Sequence, residues 1–194
     1  MYTLLNSPPV IETEYKFNRR SLLPLRVNEL WQIKSGVVRT FTWGEDGNVI
    51  HLGLWGAGDI IGKPLSKANP YNIECMTPVE AKLLPVSQWD KIIPALIEHN
   101  QRLEEFLELR QCKPMDIALL KLLTWLSKRF GRAVAEGQLI DLRLTHQELA
   151  EMIGSNRVTV TRMLNNFEKQ GLICRGSRSV IVVPEPTPLW HYEI

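Results

Sequence analysis

Cysteine is scarce in this chain: Cys75, Cys112 and Cys174 are odd in number and widely spaced. That pattern excludes a disulfide framework and fits reduced thiols. It also excludes an iron–sulfur cluster, which needs about four closely placed cysteines. Long apolar runs are missing as well. No stretch approaches the length of a membrane span, and the opening "MYTLLNSPPVIETEYKF" has neither the basic start nor the apolar core of a signal peptide. The chain is therefore expected to be soluble and cytoplasmic, with no membrane partner. Charge of one sign is lacking too. A formal net charge of +2 over 194 residues implies no polyanionic partner by itself, so any such affinity must come from local placement. Gly-rich phosphate loops, nucleophile elbows and clustered metal ligands are also absent, so neither an enzyme nor a bound cofactor is expected.

What is present changes style along the chain. Residues 22–86 read as short strands with frequent breaks, at Ser35–Gly36, Asp46–Gly47 and Gly56–Ala57–Gly58. Aromatic and β-branched residues between such turns predict a small antiparallel barrel or jelly roll. Near residue 88 the period becomes helical: Ile93, Leu96, Asn100, Leu103, Leu107 and Arg110 share a narrow stripe, which Pro94 is expected to interrupt near its start. A narrow stripe on a long helix suits a coiled-coil seam, here between two copies of the chain through Leu96, Asn100, Leu103 and Leu107. Lys113–Pro114 ends that helix, and "MDIALLKLLTWLSKRFG" predicts a broadly apolar second one. The expected division is 1–87, 88–112 and 113–194, an α+β organisation. Trp31, Trp43, Trp55, Trp89 and Trp125 are expected as core or interface anchors, and Glu104, Glu105 and Glu108 as a solvated face. In the Pro-rich tail "PEPTPLWHYEI", expected to be loosely held, Trp190 and Tyr192 could dock on another surface.

The stretch "LTHQELAEMIGSNRVTVTRML" stops one helix and restarts another across a single glycine. Thr145 with Glu148 forms a capping box, so a helix should begin there and run through Met152. Gly154 permits the positive φ that ends it, and Ser155 or Asn156 can cap the next. That second helix, from Arg157 to about Gln170, buries Val160, Leu164 and Phe167, and Gly171 closes it. Two short helices on a tight turn make a helix-turn-helix. "LICRGSRSVIVV" then reads as a hairpin with Gly176–Ser177 at its tip, the wing of a winged helix.

The exposed residues carry the functional expectation. Arg157, Val158, Thr161 and Arg162 lie on or beside the solvent face at the start of the second helix, the end that enters the DNA major groove. Arginine there can donate two hydrogen bonds to guanine O6 and N7, while Val158 suits a thymine methyl. Thr145, His146, Gln147, Asn156 and Thr159 are placed for phosphates, with Arg175 and Arg178 adding cationic contacts from the wing.

"LTHQELAEMIGSNRVTVTRMLNNFEKQGLI" resembles the signature of the Crp/Fnr transcription regulators, and the likeness covers most of the chain from about Asn28 onward. "GAGDIIG" and "LLKLLTWLSKRFG" fall where the family places its roll turn and the helix after the dimer helix. The resemblance implies an N-terminal cyclic-nucleotide-binding-like β-roll, a long dimerisation helix and a C-terminal winged helix-turn-helix. It also implies a homodimer on a palindromic site of double-stranded DNA, with Arg157 and Arg162 as base readers and His146 at a phosphate. Val158 departs from the Glu that many members carry. "RVTVTR" is closest to the cyanobacterial nitrogen-control branch, whose half-sites are GTA and TAC. "GRAVAEGQLI" is a loop where some members touch RNA polymerase, a further implied partner.

The roll lacks the family's ligand groups. Lys63 follows Gly62 where nucleotide-binding members place a ribose-binding Glu, and "KPLSKANPYNIE" offers no Arg-Ser pair for a phosphate. Cyclic nucleotide is not expected, and Lys63 and Lys67 read as solvated. His51, His99, His146 and His191 carry no haem-ligand signature. Arg39 and Arg102 could meet a dicarboxylate effector, yet solvated surface is the simpler reading of both. Two alternatives stay open: an effector-gated regulator with a small molecule in the roll, and a protein-interaction module that has lost DNA reading.

Overall fold

The computed structural model describes residues 14–135, 137–176 and 181–183, the last three by backbone alone. The wing tip with Arg178, and the tail with Trp190, His191 and Tyr192, lie outside the described residues. Seven strands build the N-terminal part: β1 (Glu14–Phe17), β2 (Glu29–Ser35), β3 (Val38–Trp43), β4 (Val49–Trp55), β5 (Ile60–Ile61), β6 (Asn72–Cys75) and β7 (Val79–Pro85). They pair antiparallel in two sheets, ordered β1-β7-β2-β5 and β4-β3-β6. The expected β2–β3 break turns on Gly36, whose φ is +85°, and a Cβ there would meet the Pro78 carbonyl oxygen at 2.2 Å. Only glycine fits that corner.

Consecutive residues are buried in several strands, Leu30 and Trp31 of β2, Thr40 and Phe41 of β3 and Leu54 and Trp55 of β4 among them, which explains why simple alternation is weak in their sequences. Trp31, Ile33, Val38, Ile61, Ile73, Cys75 and Ala81 fill the space between the sheets. Leu30, Ile60, Leu84 and Ile92 form a second cluster behind them. Burial pushes the Cys75 thiol up to about 11, so it behaves as an inert small hydrophobe.

The second cluster seats a 3₁₀ stretch, Val86–Ile92, and the start of helix α1 (Ile93–Gln111). Pro94 does not interrupt α1. It sits in the first turn, where the missing N–H costs no hydrogen bond. The stripe expected between subunits also splits. Leu96 and Leu103 lean onto the chain's own roll, while Ile93, Ile97, Asn100, Glu104 and Leu107 are exposed. A helix lying on a roll must turn one face inward, and that face takes every second member of the stripe. The exposed residues recur at alternating spacings of four and three.

Further on come α2 (Met115–Phe130), β8 (Gly131–Val134), β9 (Gly137–Ile140), α3 (His146–Ile153), α4 (Arg157–Lys169), β10 (Cys174–Arg175) and β11 (Ile181–Val183). "GRAVAEGQLI", expected as a loop, is instead the β8–β9 hairpin, and it joins the wing strands in a sheet ordered β10-β11-β9-β8. Its Leu139 pairs with Val182 and its Ile140 is buried, so the short alternation is used on both sides. Leu119, Leu122, Leu123 and Leu126 of α2 pack with Leu149, Ile153, Val160, Leu164 and Phe167, and the same cluster takes in Val37, Leu54, Met76 and Phe106. One apolar core thus runs from the roll into the helix-turn-helix.

Polar contacts fix that junction. The Asp59 carboxylate is 1% exposed. It accepts from the Gly56 N–H and from Arg129 of α2, both at 2.7 Å, and pairs with Arg102 of α1. Arg39 pairs with Glu74 at 2.6 Å. Arg102 and Arg39 are therefore mostly buried ion-pair members and not solvated surface, because each has a carboxylate from a distant segment to offset its desolvation. Trp55 is buried too. Its indole N–H donates to Thr40 Oγ1 at 2.9 Å, and its ring lies flat on His99 of α1, centroids 4.1 Å apart.

His51 and His99 are buried, and burial holds both below their ordinary value of 6.5 by disfavouring the charged ring. The unfolded chain then binds protons more readily than the folded one just below 6.5, so stability falls as the pH drops through that value. The urea midpoint should fall between about pH 7.5 and about pH 5.5, and fall less in His99→Gln. An equal pH dependence in that variant would rule out the assignment.

Candidate nucleic-acid interface

Two short helices and their caps set this surface. Thr145 Oγ1 accepts from the Glu148 N–H at 3.1 Å while the Glu148 carboxylate accepts from the Thr145 N–H at 2.7 Å, completing the capping box at the start of α3. The Thr145 hydroxyl also donates to Glu148 at 2.9 Å, so its hydrogen is already committed. Gly154 ends α3 with φ +70°, and a non-glycine residue there would be strained. Asn156 caps α4: its Oδ1 accepts from the Thr159 N–H at 2.9 Å. The Asn156 amide N–H groups remain available.

Val160, Met163, Leu164 and Phe167 bury one face of α4. That leaves Arg157, Val158, Arg162, Asn165, Asn166 and Lys169 exposed. Val158 is 78% exposed. An apolar β-branched side chain in that position contributes little to a helix by itself. The Arg157 and Arg162 guanidinium groups have no carboxylate partner among the described residues. Two uncompensated cations beside an exposed apolar residue form a surface suited to the edge of a base pair.

The other expected residues divide between outward and inward roles. Gln147 is exposed and donates to Glu151 at 2.9 Å. His146 Nδ1 lies 2.8 Å from Thr161 Oγ1, whose hydroxyl also lies 2.8 Å from the Arg157 carbonyl oxygen. Thr161 therefore ties the two helices together. Burial, helped by Arg175 and Arg157, holds the His146 imidazole below its ordinary value. Arg175 of β10 is drawn onto α4 by Asn165 at 2.7 Å and by Glu168, so its charge is compensated. Arg178 is outside the described residues.

Sequence reasoning missed how α3 is held against the roll. His51 Nε2 of β4 lies 3.0 Å from a Glu151 oxygen of α3. Arg39 of β3 lies 3.8 Å from Glu148. The Arg19 guanidinium donates to the Arg143 carbonyl oxygen, just before α3, at 3.3 Å. These pairs join residues about a hundred positions apart, and no local pattern announces them.

A β-roll leading through one long helix into a winged helix-turn-helix, with unpaired arginines on the second helix of the motif, defines a DNA-binding regulator. Comparison with known proteins gives the family. Residues 118–192 match the Crp-like helix-turn-helix domain. The chain is 44% identical over 169 residues to the regulatory protein CysR of Synechococcus elongatus, covering 84% of this chain and 81% of that one. It is 29% identical over 192 residues to the global nitrogen regulator of a Nostoc strain, covering 90% and 86%. A solved CRP-family regulator from Thermus thermophilus shares the fold at a TM-score of 0.77 and 22% identity, over 88% of this chain and 92% of that one. The chain belongs to the Crp/Fnr family of transcription regulators. It is a DNA-binding protein and not an enzyme. Among the described residues no helix is long and apolar enough to cross a membrane.

The Asn156 cap can be tested alone. Asn156→Ala should cost about 1 kcal/mol in urea unfolding, whereas Asn156→Asp, which keeps the acceptor and suits the helix N-terminus, should cost less. Equal losses would mean that the side-chain cap is not what stabilises α4.

Proposed function

We propose that the chain acts in the cytoplasm as a homodimer that reads a palindromic DNA site without cyclic nucleotide. The observation that carries the DNA reading is the exposed, uncompensated pair Arg157 and Arg162 flanking Val158 on α4. In this reading the arginines specify guanines and Val158 meets a thymine methyl. Thr145, His146, Gln147, Asn156, Thr159 and Arg178 position the phosphates, with Asn156 offering free amide donors and Thr145 acting through its cap and helix end. Half-sites containing G and T are expected, in keeping with relatives named global nitrogen regulators. Intact, unpaired arginines also weigh against a protein-interaction module that has lost its DNA. RNA polymerase, met through the β8–β9 hairpin, is a further partner of this reading.

In this reading the chain divides into a roll to residue 87, a dimerisation helix over 88–112 and a DNA-binding part from 113. The exposed stripe Ile93, Ile97, Asn100, Glu104 and Leu107 supports a two-chain seam, with Leu96 and Leu103 supporting it from beneath. Two-fold symmetry then places two copies of α4 about 34 Å apart, one turn of duplex. Against cyclic nucleotide stands Lys63, whose ammonium donates to the Ala68 carbonyl oxygen at 2.6 Å. The buried indole of Trp55 lies flat on His99 of α1, where roll and helix meet.

Selection from random duplexes by the purified protein, with no ligand added, should enrich a palindrome with G–T half-sites. No enrichment would overturn the effector-free reading. Arg157→Ala should cost roughly 1–3 kcal/mol on the selected site and relax it at one base pair, and unchanged discrimination would remove Arg157 from base reading. Ile97→Glu should shift the protein from dimer to monomer in sedimentation velocity. A persistent dimer would place the seam elsewhere.

A further inference from the structure

One hydroxyl in the helix-turn-helix decides what a neighbouring ring can do. Thr161 of α4 has a single hydrogen to give, and its Oγ1 lies 2.8 Å from the Arg157 carbonyl oxygen, which can only accept. The hydroxyl therefore donates to that carbonyl. His146 Nδ1 approaches the same Oγ1 at 2.8 Å. With its hydrogen spent, Oγ1 can only accept there, so Nδ1 must carry a proton. In the neutral ring that leaves Nε2 as a bare lone pair, because the tautomer is set by the bond the other nitrogen makes. Nε2 has no hydrogen-bond partner among the described residues.

The surroundings keep that ring uncharged in the free protein. His146 is half-buried in the first turn of α3. Burial, then Arg175 and Arg157, hold its imidazole below its ordinary value, so the ring is mostly neutral at neutral pH. Arg157 acts from α4 and Arg175 from β10, where Glu168 holds it. Other elements packed on α3 spend their charge elsewhere. His51 and Arg39 of the roll meet Glu151 and Glu148, Arg110 of α1 donates to the His51 carbonyl oxygen, and Arg129 of α2 pairs with Asp59. The neutral ring thus offers an acceptor to a phosphate, whose oxygens are acceptors too. Two lone pairs repel. Only the imidazolium, with a proton on each nitrogen, can hold Thr161 through Nδ1 and donate from Nε2 at once.

We propose that Thr161 is a positioning residue that fixes His146 in its Nδ1-protonated form, so that each half of the dimer must take up one proton from solvent to make its phosphate contact. This rests on the DNA reading of α4 and on His146 as a phosphate contact. It adds a chemical condition to that reading. Base identity is chosen by Arg157, Val158 and Arg162, while the strength of binding follows the supply of protons. A phosphate beside the ring favours its charged form, so the ring holds its proton to a higher pH on DNA than off it. Affinity is then highest where the free ring is already charged. It falls as the pH rises, by up to about tenfold per unit for each ring, until the ring on DNA has also lost its proton.

Affinity for the selected duplex, measured at fixed salt between about pH 6.5 and about pH 8.5, tests it above the range in which His51 and His99 lower stability. The wild type should weaken as the pH rises. His146→Arg, which donates with a fixed charge throughout, should bind with a nearly flat profile. Thr161→Val frees Nδ1 and lets the neutral ring carry its proton on Nε2, so its profile should flatten too. Thr161→Ser, which keeps the hydroxyl, should keep the wild-type slope. A second measurement needs no DNA. At about pH 8 the ring-nitrogen NMR shifts of His146 in isotopically labelled protein, assigned by their loss in His146→Arg, should show the proton on Nδ1 in the wild type and on Nε2 in Thr161→Val. A flat wild-type profile, a wild-type slope in Thr161→Val, or a wild-type ring protonated on Nε2 would each overturn the proposal. An equally steep profile in His146→Arg would assign the proton to another group and overturn it as well. Wild type that binds no duplex at any pH would overturn the DNA reading of α4, and this inference with it.

Discussion

A carboxylate that is 1% exposed cannot stay charged without partners, and Asp59 finds them on three separate segments. The Gly56 N–H comes from the roll, Arg102 from α1 and Arg129 from α2. Replacing Asp59 would leave the Arg102 and Arg129 guanidinium groups facing each other with no carboxylate between them, and breaking a buried pair in this way typically costs about 3–5 kcal/mol. The three segments must therefore meet in one arrangement. From α2 the constraint passes to α3 and α4, because Leu119, Leu122 and Leu126 are the floor on which those helices pack. The direction in which Arg157 and Arg162 project is set, through this chain of contacts, at a buried turn of the roll.

Two groups of arginines divide the work. Arg39, Arg102, Arg129 and Arg175 are each held by carboxylates, and they join parts of the chain to one another. Arg20, Arg143, Arg157 and Arg162 have no such partner among the described residues. With a formal net charge of only +2, the protein does not attract a polyanion as a whole. Arg157 and Arg162 stand uncompensated on the exposed face of α4, while the carboxylate-held arginines are structural.

The helix-turn-helix could be read residue by residue from the sequence, since its signals are local. Thr145 with Glu148, Gly154 with Asn156, and the spacing of Val160, Leu164 and Phe167 each act within a turn or two of helix. The phase of α1 could not. Periodicity showed a stripe, but which half of it faces the roll depends on Leu30 and Ile60, which are distant in the chain. The same limit hid the β8–β9 hairpin, whose partner strand β11 lies beyond two helices. It also hid the buried roles of Arg39 and Arg102: an arginine looks solvated in sequence until the distant carboxylate beside it is known.

The contacts from His51 to Glu151 and from Arg39 to Glu148 bear on how freely the two halves of such a protein could be exchanged. Glu148 serves the cap of its own helix and the roll at once, and Glu151 serves both Gln147 and the roll. A helix-turn-helix transplanted from a relative would bring its own α4, and so its own half-site, but could leave His51 and Arg39 facing side chains that do not match. Any graft meant to retarget this regulator would need its boundary drawn at the end of α3, keeping the two glutamates with the roll and exchanging only residues beyond Gly154.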